Sequence, residues 1–186
     1  VIRTIPYNIN PPADKGISKA TNDVITLSGA NGVDRVFYLF DSGRTMGVEG
    51  GGYDNVRADQ IEWYDSYSKE FTANNGGKPL HSLAFFHIPL PEFQEAYDYR
   101  WTRIIGEHYE SVGCSYINSG LYLAMLENRD MVGVFCGHDH NINMVMGFNK
   151  CHQLQEESDS LLAEKAKADS IEATFKREFV PVTSFI

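Results

Sequence analysis

Two apolar runs end in histidine, and that pairing constrains this chain more than anything else in it. The first, Val134-Phe135-Cys136-Gly137-His138-Asp139-His140, reads as a strand, a glycine and two histidines at i and i+2. The second, Leu83-Ala84-Phe85-Phe86-His87-Ile88-Pro89-Leu90-Pro91, ends in a histidine followed by proline brakes. Strands of this kind deliver imidazoles to the carboxyl edge of an α/β sheet, where such sheets place their chemistry. Histidine is also the commonest metal ligand. A single histidine on an apolar run is more often a satisfied core residue. Three at two strand ends, with no shared task, would be hard to satisfy in a core. A metal site built on His87, His138 and His140 is therefore the leading expectation.

The elements around these runs alternate. Val24 to Ser28 and Val33 to Phe40 are β-type runs separated by Gly29-Ala30-Asn31-Gly32, a hairpin signal. Val56, Gln60, Trp63, Tyr64, Tyr67 and Phe71 fall on one face of a helix over 56–73. Asn74-Asn75-Gly76-Gly77 stops that helix. Pro91 opens a second helix, with Phe93, Ala96, Tyr97, Ile104 and Ile105 on its apolar side. Residues 119–128 predict a short helix capped by Asn118. Met131 to Cys136 is the last strong strand. Strand, helix, strand, helix, strand predicts an α/β fold with helices packed on a sheet. Leu154 to Phe179 is charge-rich and free of Gly and Pro. It predicts a C-terminal helix with Leu161, Ala168, Ile171, Phe175 and Phe179 on a narrow apolar face. That helix either lies on the domain surface or docks on a partner chain.

The chain resembles the calcineurin-like metallophosphoesterases, and within them the purple-acid-phosphatase-related branch. The matching stretches, in the family's order, are Tyr38-Leu39-Phe40-Asp41-Ser42-Gly43, Gln60-Ile61-Glu62-Trp63, Phe85-Phe86-His87-Ile88-Pro89-Leu90-Pro91-Glu92, Asn118-Ser119-Gly120-Leu121 and Val134 to His140. The resemblance implies part of a four-layer α/β/β/α sandwich, with the C-terminal helix as an addition. It also implies a two-metal centre of Fe, Zn or Mn, with His87 and His138 on one ion and His140 on the other. The function implied is hydrolysis of phosphate esters by a metal-activated hydroxide. The family's Asp-x-His, Gly-Asp-x-x-Asp and Gly-Asn-His-Asp motifs are absent, and no histidine precedes His81. No catalytic residue is therefore assigned. The chain reads as a C-terminal half, with residues 1–23 irregular, 24–150 the half-domain and 151–186 the helical tail. The missing N-terminal half belongs either to a longer polypeptide, the favoured expectation, or to a second chain. The alternative function is a phosphoesterase-like domain without activity, serving in binding or assembly.

Arg44 and Tyr53, near the Asp41-Ser42-Gly43 strand end, are candidate contacts for a substrate phosphate, since a guanidinium fork suits phosphate. Asp139 is expected to point away from the ions, either supporting them or solvated. His81 and His108 are read as surface residues, and His152 is assigned nothing. The glycine-rich stretch from Gly47 to Tyr53 lacks the Gly-Lys-Ser/Thr ending of a P-loop and reads as a surface loop. The net charge of −9 argues against nucleic acid or anionic membrane as partner. No run of apolar residues is long enough to span a bilayer. Hydrophobic content of 42% suits a soluble globular domain; the compartment is left open, export included if the N-terminus is missing. The cysteines Cys114, Cys136 and Cys151 are too scattered for a disulfide framework, though one bridge stays open; Cys136 reads as a buried small hydrophobe.

Overall fold

The structure, a computed structural model, describes residues 16–47, 52–99, 103–147, Lys165 and Lys167. The 1–15 part of the irregular N-terminal segment lies outside the described residues. So does nearly all of the predicted 154–179 helix, of which Lys165 and Lys167 are helical and exposed.

The hairpin forms as its turn chemistry requires. β1 (Asp23–Gly29) pairs antiparallel with β2 (Gly32–Leu39), Val24 opposite Tyr38 and Thr26 opposite Val36. From β2 the chain passes through α1 (Ala58–Asn74) to β3 (Ser82–Phe85), parallel to β2. After α2 (Pro91–Asp98), β4 (Ile104–His108) and α3 (Leu121–Asn128) it returns as β5 (Met131–Phe135), parallel to β3. The sheet order is β1-β2-β3-β5, and β6 (Ile142–Met146) pairs with β4 in a separate two-stranded sheet. The α/β expectation holds; β6 had no strand signal strong enough to be read.

Side-chain alternation decides which sheet face is covered. Val36, Tyr38, Phe40, Ala84 and Phe86 turn to one face and form a core with Val56 and Tyr64 at α1 and Leu121 and Met125 of α3. Tyr38 and Tyr64 meet edge to face at 4.9 Å between ring centroids, and Trp63 closes on Phe40 at 5.6 Å. Such geometry adds to the apolar burial of the rings. A buried carboxylate, Asp130, accepts hydrogen bonds from the Tyr64 hydroxyl and, at 2.9 Å, the Ser68 hydroxyl. Burial and the Asp130 charge raise the pKa of the Tyr64 phenol, keeping it protonated as the donor. On the other face Phe85 and Phe135 stack at 5.0 Å, 37% and 52% exposed, with Phe37 edge-on to Phe85.

Three local expectations change. Ile104 and Ile105 lie in β4, not in the helix begun at Pro91, which ends at Asp98. Two β-branched residues beside Gly106 suit a strand: Gly106 has φ +120°, and a Cβ there would stand 2.0 Å from the Asn143 carbonyl oxygen of β6. Asn118 does not cap α3; Gly120 holds that position, and Asn118 instead accepts the Gly120 N–H at 3.0 Å and donates to Glu92. His108 is half-buried rather than a surface residue, whereas His81 is exposed as read. Cys136 is half-buried against the core and its thiol is pushed up to about 12 by burial; Cys114 and Cys136 are both free, and Cys151 lies outside the described residues.

Candidate metal centre at the parallel strand ends

The parallel ladder sets where the histidines go. Phe85 stands opposite Phe135, and the pairing continues past both strand ends: the Phe86 N–H donates to the Phe135 carbonyl at 3.1 Å and the Gly137 N–H to that of His87 at 3.1 Å. His87 and His138 therefore leave the same edge of the sheet, one residue out of step. Their rings meet edge to face at 5.1 Å, with His87 Nε2 and His138 Nδ1 3.2 Å apart. Which nitrogen carries the proton depends on the tautomer.

Each histidine has its own backbone support. Ser42, 3% exposed, accepts the N–H groups of both His87 (3.2 Å) and Ile88 (2.9 Å) on its hydroxyl. It thus fastens the end of β2 to the loop after β3. Asp41 beside it accepts the Gly43 N–H at 3.0 Å and the Ala20 N–H at 3.1 Å. Burial alone would raise the Asp41 pKa; these donors, with Thr21 and the Lys19 charge, lower it. His138 sits at φ +75°, and the Asp139 N–H donates across it to the Gly137 carbonyl at 2.9 Å. Asp139 does not point into solvent: its carboxylate accepts the Gly113 N–H at 3.0 and 3.2 Å.

The structure brings together some of the expected residues and not others. Tyr53 closes on the His138 ring at 4.2 Å between centroids, held by an antiparallel bridge between Thr45 and Tyr53. Residues 48–51 of the glycine-rich loop lie outside the described residues. Arg44 is exposed, and its backbone carbonyl accepts the Asp54 N–H at 3.3 Å. His140 is exposed, and its backbone hydrogen-bonds to Glu110. Donation from the Asn141 N–H to Glu110, at 2.7 Å, is the main effect lowering the Glu110 pKa, with smaller help from His140. Ser42, Gly113 and Glu110 were not assigned from sequence. Ser42 stands in a quoted motif and could have been found; Gly113 and Glu110 act through partners 26 and 31 residues away and carry no local signal.

The donor chemistry of the pair fits a transition metal. Two nitrogens each about 2.0–2.1 Å from one tetrahedral ion stand roughly 3.3 Å apart, close to the separation of His87 Nε2 and His138 Nδ1. Two donors do not complete a site, and among the described residues no group of three or more His, Cys, Asp or Glu converges.

The parallel strands β3 and β5 thus present His87 and the Gly-His-Asp-His turn at one sheet edge. The chain is 35% identical to a protein named probable inactive purple acid phosphatase 14 and 33% identical to probable inactive purple acid phosphatase 29, both of Arabidopsis thaliana. Each match covers 62% of this chain, and 31% and 32% of those relatives. It is 32% identical to the phosphatase DCR2 of Saccharomyces cerevisiae over 55% of its length and 18% of that relative. The chain is thus similar to purple-acid-phosphatase-like proteins, consistent with a calcineurin-like phosphoesterase relationship, and spans about a third or less of the relatives it matches. No protein-family model and no solved structure matches it.

Proposed function

We propose that this chain supplies the histidine-bearing edge of a metal-dependent phosphoesterase. The observation that carries this reading is the 3.2 Å approach of His87 Nε2 to His138 Nδ1 at the carboxyl edge of parallel strands. A bound centre of Fe, Zn or Mn would supply positive charge and an acidified water near neutral pH. This chain's own contribution is positional. His87 and His138 present imidazole nitrogens to one ion. Ser42 fixes the backbone beneath His87, and Tyr53 packs its ring against His138. Arg44 reaches toward the substrate phosphate. His140 joins a second ion with donors from polypeptide beyond these residues. The half-exposed stack of Phe85 and Phe135 supports a second sheet over that face, completing a four-layer sandwich.

A second reading has its own support: a phosphoesterase-like domain without activity, acting in binding or assembly. Three relatives carry "probable inactive" in their names, and among the described residues no third His, Cys, Asp or Glu joins the pair. Elemental mass spectrometry on the purified chain, with hydrolysis of p-nitrophenyl phosphate measured alongside, separates the two. Metal at close to one or two equivalents per chain supports the first reading. A metal-free chain that hydrolyses nothing supports the second.

A further inference from the structure

The turn that carries His138 is strained, and its support is a residue outside the Gly-His-Asp-His sequence. His138 has φ +75° and stands at the centre of a three-residue turn closed by the Asp139 N–H on the Gly137 carbonyl. Turns with a central residue near φ +75° are rare and strained. A non-glycine residue stays there only where its surroundings over-determine it. Here those surroundings converge on Gly113. Its N–H donates to both carboxylate oxygens of Asp139. Its bare Cα faces the histidine ring: a Cβ at Gly113 would stand 2.6 Å from Asp139 Oδ1, 2.7 Å from His138 Cδ2 and 3.0 Å from His138 Nε2. Gly113 is in turn held by Val112, which is buried and donates its N–H to the Gln94 side chain at 3.0 Å.

We propose that Gly113 is the positioning residue of the histidine pair. It latches Asp139 through its amide and leaves the space that the His138 ring occupies with Nδ1 toward His87. This rests on the metal-centre reading only in what the pair is positioned for; the latch is a property of the chain itself. A partner that orients a metal ligand is worth about 10–100-fold in metal affinity.

The test compares Gly113→Ala, Asp139→Ala and Asp139→Asn with the parent chain, Ser111→Ala serving as a neighbouring control. Two readouts are used: titration with Co(II) followed by its visible absorption, and 15N–1H correlation spectra of the imidazole nitrogens without metal. Gly113→Ala and Asp139→Ala are expected to weaken Co(II) binding at least about 10-fold and to shift the His138 and His87 ring signals. Asp139→Asn, which keeps an oxygen for the Gly113 N–H, retains most of the affinity and the parent spectrum. Parent-like Co(II) binding and unchanged ring signals in a folded Gly113→Ala chain overturn the proposal. A parent chain that binds no Co(II) defeats the metal-centre reading, and the ring spectra then decide the latch by themselves. Should Gly113→Ala not fold, the contrast between the two Asp139 variants decides it.

Discussion

His87 Nε2 and His138 Nδ1 stand 3.2 Å apart although 51 residues separate them in the chain. The parallel register of β3 and β5 brings them there, carried on by the Gly137 N–H to the His87 carbonyl. In the proposed centre these two imidazoles are neighbouring donors of one ion, and removing either would leave a single weak ligand. His87→Ala and His138→Ala are each expected to lower Zn(II) affinity by 10-fold or more, on the order of the effect of losing a ligand's orienting partner. His140→Ala is expected to leave the affinity for that ion unchanged, because His140 is not part of the His87–His138 contact. Competition with a chromogenic chelator checks all three, and an equal loss in His140→Ala would show that the three histidines share one ion.

Asp130 is 2% exposed and depends on Tyr64 and Ser68 for its hydrogen bonds. Tyr64→Phe keeps the ring packing and removes one donor to a buried charge. It is expected to cost about 1.5–3 kcal/mol, the usual worth of a hydrogen bond to a charged group. Urea unfolding of the two chains measures this directly. A loss below a few tenths of a kcal/mol would mean that water replaces the hydroxyl.

Asp54 and Asp41 contribute to the acid limit of stability. Burial raises the pKa of each. At Asp54 the Asn55 N–H, Lys19 at 3.2 Å and Arg57 outweigh it, and both pKa values end lower in the folded chain. A carboxylate with a depressed folded pKa contributes stability above its unfolded pKa, about 3.9 for Asp. That contribution disappears as pH falls through the folded value. Stability is therefore expected to be flat near neutrality and to fall below about pH 4. Asp54→Asn should be less stable at pH 7 and lose less on acidification. Thermal unfolding at stepped pH follows both slopes; parallel slopes would remove Asp54 from this role.

Phenylalanine tests which sheet face is covered. Phe40 is 5% exposed in the aromatic core, whereas Phe135 is 52% exposed on the opposite face. Phe40→Ala is expected to cost about 3–5 kcal/mol. Phe135→Ala should cost about 1–2 kcal/mol, from partial burial and its stacking on Phe85. Equal costs in denaturant unfolding would mean that the Phe135 face is covered in solution.

Much of this was legible in the chain itself, because it depends on short-range rules. Period-two alternation and Asn31-Gly32 determined the β1–β2 hairpin, and helical spacing from Gln60 to Phe71 determined α1 and its buried face. The apolar runs ending in His87 and His138 marked the edge that carries the site. Ile104 and Ile105 were misread because their strand depends on Gly106 lying against β6, a contact no local pattern carries. Asn118 resembles a cap, yet its carbonyl serves the Gly120 N–H and its amide serves Glu92. Only the tertiary structure decided that His138 meets His87, since the parallel register of β3 and β5 brings the two loops together. Only it brought the Gly113 N–H to the Asp139 carboxylate, a contact made across 26 residues. Sequence alone determines which side chains can serve as ligands; register and close packing determine which of them meet.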